Sequence, residues 1–411
     1  MREITSTANR LIDFSPAQPR DRRLRLALQF ARMIKAGKLN LVLPDGSAHH
    51  FEGNEPGPSA TLIVKDPRMV AKLAFGGSLG LCEAYLDGMW DSPNVTEVLR
   101  LGTANEMALD SMLRGKPWAR FASWVMHRLR PNTRKGARRN ISDHYDLGND
   151  FYSQWLDGSM TYSAAMFTGG NHSLEIAQAE KYRNLCRALE LKPGMRVLEI
   201  GCGWGGFAEL AAREFGAYVT GITLSREQLA YAQARINSTG LSAQVTLKLE
   251  DYRDTHGSFD RIASIEMFEA VGEEYWPTYF DTLNERLAPG GKAGIQVITI
   301  ADRLFPDYRK TADFVQRYVF PGGMLPSPSR LREEISRAGL SLGEQTWFGQ
   351  DYAETLRRWR ADFLSAWGRI SHFHPQYDER FKRLWEFYLG YCEVGFDAGF
   401  TDVGQIILQR A

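Results

Sequence analysis

Cysteine is scarce in this sequence. Four residues, Cys82, Cys186, Cys202 and Cys392, are spread over 411 positions with no C-x-x-C pair. That spacing excludes a disulfide framework and a cysteine-based zinc site, and it fits reduced thiols in the cytoplasm. No other metal-ligand spacing stands out, so no metal is expected. Long apolar runs are missing too. Ile262 to Ile265 and Ile295 to Ile300 are among the longest, far short of the ~20 residues a spanning helix needs. Met1 to Phe14 carries Glu3 and Asp13 where a secretory signal would be apolar, so no leader is expected. There is no internal repeat and no low-complexity tract. With 44% hydrophobic and 24% charged residues, the composition excludes disordered, collagen-like and coiled-coil chains.

Net charge is nearly absent, at +1, but the balance conceals a split. Residues 1–142 hold 22 Lys+Arg against 13 Asp+Glu, a net of +9; residues 143–411 hold 28 against 36, a net of −8. Between Ser111 and Ser142 there are nine basic residues and no acidic one, with Trp118, Phe121, Trp124 and Met126 interleaved. Cations beside aromatic rings suit an anionic membrane surface, where the charges meet phosphates and the rings enter the headgroup layer. A solvated linker is the competing reading. Nucleic acid is a third, but nothing else in the chain resembles an RNA-binding module.

The chain divides into an N-terminal α+β domain (1–110), a basic linker (111–142) and a larger domain (143–411). In the first, Arg22 to Ala36 has helical periodicity, and Pro44-Asp45-Gly46-Ser47 reads as a hairpin turn between strands at Leu39 to Leu43 and Ala48 to Phe51. Pro67 to Phe75 and Gly80 to Leu86 read as helices. A further helix is expected from Pro93 to Leu101, capped by Ser92. From about residue 175 helices and strands alternate, with strands at Arg196 to Ile200, Ala217 to Ile222, Val245 to Leu249, Phe259 to Ile265 and Lys292 to Ile298. The fold class expected is α/β, a doubly wound parallel sheet of Rossmann-like type. The C-terminal region, notably Ala353 to Trp367 and Glu379 to Phe396, reads as helical and aromatic.

The sharpest motif is Val197-Leu198-Glu199-Ile200-Gly201-Cys202-Gly203-Trp204-Gly205-Gly206. An apolar strand enters a glycine turn and then a helix. Gly201, Gly203 and Gly206 satisfy G-x-G-x-x-G, the dinucleotide pattern. However, the next strand ends in Thr223-Leu224-Ser225, with no acid to hold the ribose of a nicotinamide cofactor. Glu199 instead stands two residues before the first glycine. S-adenosylmethionine has no phosphate; it needs close backbone approach and a carboxylate near its amino group, and both are present.

Glu199 to Gly206, with Gly221 to Ser225 and Gln228, resembles the cofactor site of the cyclopropane-fatty-acyl-phospholipid synthase family. So do His144-Tyr145-Asp146-Leu147-Gly148-Asn149-Asp150-Phe151, Met160-Thr161-Tyr162-Ser163, Leu249 to Asp254, Met267-Phe268-Glu269, Phe320-Pro321-Gly322-Gly323 and Phe348 to Tyr352. The motifs occur in order from about residue 75 to the C-terminus. The resemblance implies S-adenosylmethionine-dependent methylation of the double bond of unsaturated phospholipid acyl chains, by an enzyme held peripherally on the inner face of the membrane. A homodimer is left open. It also implies that Tyr145, Tyr162 and Ser163 contact the methionyl end of the cofactor, with Gly201 and Gly203 beneath it. Thr223 and Gln228 would serve the ribose, and the Glu250-Asp251-Tyr252 turn the adenine.

Methyl transfer to an alkene leaves a carbocation, so the site needs aromatic faces, dryness and a base for one proton. In the family the base is a bicarbonate ion held by a cysteine, a glutamate, a histidine, a tyrosine and a backbone amide. Glu269, Tyr352 and the backbone of Ile298 match. The cysteine is Ala164, the histidine is Gln296, and the histidine after Phe-Glu is Ala270. Alanine's side chain donates no hydrogen bond. Bicarbonate is therefore doubtful, and the expectation is that Glu269 removes the proton with help from Tyr352 and Gln296. A longer-lived cation favours a methylene- or methyl-branched product over ring closure. A methyltransferase for a small soluble acceptor and a non-catalytic lipid-binding protein are the rival readings.

Overall fold

The computed structural model describes residues 19–113, 147–168 and 173–410. Two compact units, Met1–Arg114 and Gly115–Ala411, are each described by themselves. The basic segment, from 114 on, and Tyr145 lie outside the described residues.

Unit 1 is a small mixed sheet with helices. Strands β1 (Ala36–Val42), β2 (Ala48–Glu52), β3 (Glu55–Val64) and β4 (Trp90–Asp91) lie in the order β2-β1-β3-β4. The expected hairpin joins β1 and β2: Gly46 adopts φ +84 and Asp45 accepts from the Ser47 N–H at 2.9 Å. Helices α1 (Arg22–Ala31), α2 (Arg68–Leu86), α3 (Val95–Ala104) and α4 (Glu106–Leu113) complete the unit. Gly77, at φ 60 and ψ −141, breaks α2 where two helices were expected. One boundary differs. Helix α3 starts at Val95 with Asn94 at its N-cap. The Ser92 hydroxyl accepts from the Asn94 N–H at 3.1 Å, so it caps the turn before the helix.

Unit 2 is built on seven strands: β5 (Arg196–Ile200), β6 (Tyr218–Thr223), β7 (Val245–Leu249), β8 (Phe259–Ile265), β9 (Leu287–Ile300), β10 (Leu340–Trp347) and β11 (Thr401–Arg410). Their order is β10-β11-β9-β8-β5-β6-β7. Strands β5 to β9 run parallel, and β11 is antiparallel to β9 and β10. Both faces are covered, as a parallel sheet requires. Helices α5 (Leu174–Ala188) and α6 (Gly206–Phe215) bury Leu185, Phe207 and Leu210 with Val197 and Val219 on one face. Helix α7 (Arg226–Ser238) adds Ile236 there. Helices α8 (Trp276–Arg286) and α9 (Pro328–Arg337) bury Phe280, Leu283 and Leu331 with Leu198 and Ile262 on the other. The C-terminal region is not wholly helical as expected. Helices α10 (Gly349–Ile370) and α11 (Glu379–Asp397) are there, but β10 and β11 flank them and extend the sheet. The topology reverses at β5, with β6 on one side and β8 on the other, and the crevice at such a switch point is where open α/β sheets bind ligands.

Candidate active site

The glycine loop leaves β5 at that switch point. Gly201, Gly203 and Gly205 adopt φ of +82, +49 and +84, a region that side chains with a Cβ rarely occupy. The N–H groups of Gly201 and Cys202 both donate to the Ile222 carbonyl, at 3.0 and 2.9 Å, which pins the loop to β6. A Cβ on Gly201 would collide with Met267 at 2.9 Å, whereas a Cβ on Gly203 would meet nothing within 4 Å. Glu199 is 2% exposed, and its Oε2 has no hydrogen-bond partner. Burial pushes its carboxyl up to about 8, against the pull of Arg235, Lys181 and the Ala208 amide. An orphaned acidic oxygen at the end of β5, and open space over a left-handed glycine in the loop that follows, fit the cofactor expected from the sequence.

The neighbouring strand ends carry the rest of the expected cofactor set. The Thr223 hydroxyl donates to Gln228 Oε1 at 3.0 Å, and the Ser225 hydroxyl caps α7 by accepting from the Gln228 N–H at 3.2 Å. Glu250 follows β7, its N–H donating to the Thr223 carbonyl at 3.1 Å. Asp251 is buried and committed to Arg253, accepting from Nε at 2.8 Å and Nη2 at 2.7 Å. The Asn149 side-chain Oδ1 accepts from Trp204 Nε1 at 2.7 Å, which joins the Asp-Leu-Gly-Asn motif to the glycine loop. So Glu199, Gly201, Gly203, Thr223, Gln228, Glu250 and Asp251 share the carboxyl edge of β5 to β7.

A second group gathers at the ends of β8 and β9. The first two turns of α10 anchor the Tyr-Ser-Ala-Ala run: the Ala165 N–H donates to Thr355 Oγ1 at 3.1 Å, and the Phe167 N–H to Asp351 at 3.0 Å. The start of α10 is itself fixed by β11, where Asp402 accepts from the Gly349 N–H at 2.9 Å. Tyr352 then lies one turn into the helix, its ring 4.5 Å from that of Phe396. Ser163 is buried; its hydroxyl is engaged by Lys181 and its carbonyl accepts from Gln178 at 2.7 Å. Tyr162 bonds Tyr388 through their hydroxyls at 3.0 Å and lies 5.2 Å from the Trp359 ring, with Trp155 at 5.8 Å.

The structure places a residue in this group that sequence reasoning missed. Glu266, immediately after β8, has φ +48, a left-handed conformation uncommon in a residue with a side chain. Its Oε1 accepts from the Ala164 N–H at 2.8 Å and from Gln296 Nε2 at 2.7 Å, and its Oε2 accepts from the Tyr352 hydroxyl at 2.8 Å. Gln296 is oriented in turn by Gln405, opposite it on β11, whose Nε2 donates to Gln296 Oε1 at 3.0 Å. Two of the three expected catalytic residues, Gln296 and Tyr352, therefore serve Glu266 and not Glu269. Glu269 Oε1 accepts from the Ile298 N–H at 2.6 Å, and its buried Oε2 has no partner. Burial, then the charge of Glu266, pushes Glu269 up to about 8.

Lys181 of α5 is fully buried between the two groups. Burial lowers its ammonium to about 7, opposed first by Glu266 and then by Asp157 and Glu199. The pattern Glu266-x-x-Glu269 after a strand, opposite a missing cysteine and histidine, is the signal that could have exposed Glu266. Among the described residues no cluster of His, Cys, Asp and Glu is arranged to hold a metal ion, and no helix is long and apolar enough to cross a membrane.

Comparisons with known proteins agree with this arrangement. Residues 132–406 match the family described as mycolic acid cyclopropane synthetase. The tuberculostearic acid methyltransferase UfaA1 of Mycobacterium tuberculosis is 37% identical over 384 residues, covering 90% of this chain and 88% of its own. The cyclopropane-fatty-acyl-phospholipid synthase of Escherichia coli K12 is 37% identical over 359 residues, covering 85% and 88%. Among solved structures, mycolic acid cyclopropane synthase CmaA1 complexed with SAH and CTAB superposes with a TM-score of 0.63 at 29% identity. It covers 66% of this chain and 98% of its own. A Rossmann-like sheet with a left-handed glycine loop at its switch point, and these matches, place the chain in the mycolic acid cyclopropane synthetase family of S-adenosylmethionine-dependent lipid methyltransferases.

Proposed function

We propose that this protein transfers the methyl group of S-adenosylmethionine to the double bond of an unsaturated phospholipid acyl chain and releases a methylene-branched chain. The carrying observation is the glycine loop at the switch point, with the half-satisfied Glu199 carboxylate beside the open approach over Gly203. When bound, the cofactor supplies an electrophilic methyl on a positive sulfur. Glu199 would hold its amino group, Thr223 and Gln228 its ribose hydroxyls, and the Glu250-Asp251 turn its adenine. Tyr162 and Ser163 would line the methionyl end. The faces of Tyr162, Trp359 and Trp155 exclude water and stabilise positive charge developing on the alkene.

The relatives include ring-forming and branch-forming enzymes at the same 37% identity, so the choice of product rests on this chain's own site. Ala164 and Gln296 replace two side chains that the family uses around its proton-accepting anion. Slower proton loss lengthens the life of the cation, and a hydride then moves from the methylated carbon to its neighbour before the proton leaves. Mass spectrometry of oleoyl phospholipid vesicles after incubation with the protein and cofactor tests this. The expected product gains one CH2 and remains cleavable by ozone. A gain of CH2 with no ozone-cleavable bond identifies a cyclopropane and refutes the branching half of the proposal.

The acyl substrate lies in a membrane, and the basic aromatic segment 111–142 supports docking on anionic lipid. Binding to phosphatidylglycerol vesicles should fall with salt, since surface attraction decays over about 8 Å at physiological ionic strength. It should also fall on charge reversal of Arg138 and Arg139 without loss of cofactor affinity. Equal binding to neutral vesicles contradicts it.

A further inference from the structure

The bicarbonate used elsewhere in the family does not fit this site. The Ala164 N–H, the Gln296 amide and the Tyr352 hydroxyl converge at 2.7–2.8 Å on an oxygen pair, and that pair belongs to Glu266. Ala164 has no side-chain donor to add, and a second anion brought here would face a buried carboxylate. We propose that Glu266 is the base of the reaction, a carboxylate built into the chain in place of an external anion. The proposal rests on the reading of the protein as a lipid methyltransferase, but it does not depend on which product forms.

The hydrogen-bond inventory supports it. A carboxylate offers about four lone-pair positions. Oε1 uses two, on Ala164 and Gln296, and Oε2 uses one, on Tyr352, so one position on Oε2 remains for a proton. The three donors come from separate segments: the Tyr-Ser-Ala-Ala run, β9 and α10. The run is held by Thr355 of α10, Gln296 by Gln405, and the start of α10 by Asp402. A loop built from glycine would hold φ +48 at position 266 with less strain; keeping a glutamate there costs on the order of 1–3 kcal/mol. Gln296 and Tyr352 are positioning residues in this scheme.

Charge assigns the roles within the Glu266–Glu269 pair. Two buried carboxylates in one site resist ionising together. Burial raises Glu266, but Lys181, the Ala164 amide, Tyr352 and Gln296 all oppose that rise. Glu269 has only the Ile298 amide and its own backbone in opposition and stands at about 8. With three donors aimed at Glu266 and one at Glu269, the pair's negative charge sits on Glu266 and Glu269 is the protonated partner. In the reaction, the carbon–sulfur bond breaks and its electron pair stays on sulfur. The alkene's electron pair forms the new carbon–carbon bond, leaving a cation on the chain. Either at once, closing a ring, or after a hydride has moved from the methylated carbon to its neighbour, leaving a methylene, a C–H bond of the transferred methyl yields its electron pair to the cation, and the proton goes to Glu266 Oε2. No external oxidant or reductant is needed.

The test uses the full-length protein with oleoyl phosphatidylglycerol vesicles in buffer stripped of carbonate. Glu266→Gln keeps the size and removes the basicity; turnover should fall by about 10²–10⁴-fold while S-adenosylhomocysteine binding is unchanged. Glu269→Gln, at a group already protonated, should lower turnover by less than Glu266→Gln. Glu266→Gly relieves the backbone and opens the anion position. It should be inactive without bicarbonate, recover activity as bicarbonate is added, and show bound ¹³C-bicarbonate by NMR where the wild type shows none. Full activity of Glu266→Gln overturns the proposal, as does bicarbonate binding by the wild type. A wild type that binds S-adenosylhomocysteine yet never methylates lipid refutes the function proposed above.

Discussion

Glu269→Gln offers a reading of the buried pair that is independent of catalysis. A glutamate in the unfolded chain titrates near 4.5, whereas Glu269 in the fold titrates at about 8. Between those values the folded state binds the extra proton, so stability falls as pH rises through the window. The direction is opposite to that of a salt-bridged acid. The full difference corresponds to about 5 kcal/mol, with about 3 kcal/mol of it developed between about pH 5.5 and about pH 8. Glutamine mimics the protonated acid and does not titrate. The variant should therefore gain about 3 kcal/mol on the wild type between about pH 5.5 and about pH 8. Glu199 titrates in the same range, but it is common to both proteins and cancels in the difference. Denaturant unfolding across this range, with slopes held common, gives the quantity directly. A stability difference that does not grow with pH would refute the placement of the proton on Glu269.

Three further outcomes follow from the same geometry. Gly203→Leu projects a side chain into the space beside Glu199, so calorimetry should show loss of S-adenosylhomocysteine binding. The left-handed backbone adds only about 1–2 kcal/mol of instability, and retained affinity would remove the loop from the cofactor site. Lys181→Met removes the cation that faces Glu266 and should destabilise by up to about 3–5 kcal/mol in thermal or chemical unfolding below about pH 7, where the ammonium is charged, and by less above it. Gln405→Leu frees the Gln296 amide to flip. Turnover should fall and the acid limb of its pH profile should move upward as Glu266 loses a donor, with cofactor affinity unchanged.

The parts of the molecule that were legible in the sequence share a local cause. Strands β5, β7 and β8 end where expected because their apolar runs meet glycine, charge or turn residues within a few positions. The glycine loop was legible because its backbone demands glycine at φ values that other residues avoid. The C-terminal strands were not. Most of β10 is exposed, at the edge of the sheet, so its sequence Leu-Ser-Leu-Gly-Glu-Gln-Thr-Trp carries little apolar signal. The apolar centre of β11, Ile406 to Leu408, is too short to distinguish a strand from the tail of a helical region. Glu266 was hidden for another reason. Its three donors stand at positions 164, 296 and 352, and only the pairing of β8 with β9 and the docking of α10 bring them together. The substitutions at Ala164 and Gln296 were visible and pointed to a lost anion. The chain's replacement for it became visible only once the hydrogen bonds were.

The most direct measurement is the rate of methyl transfer to oleoyl phosphatidylglycerol vesicles by the wild-type protein, with and without bicarbonate. A base carried on Glu266 predicts the same rate in both, whichever product forms. Turnover that stops when bicarbonate is removed and returns when it is restored would contradict the account.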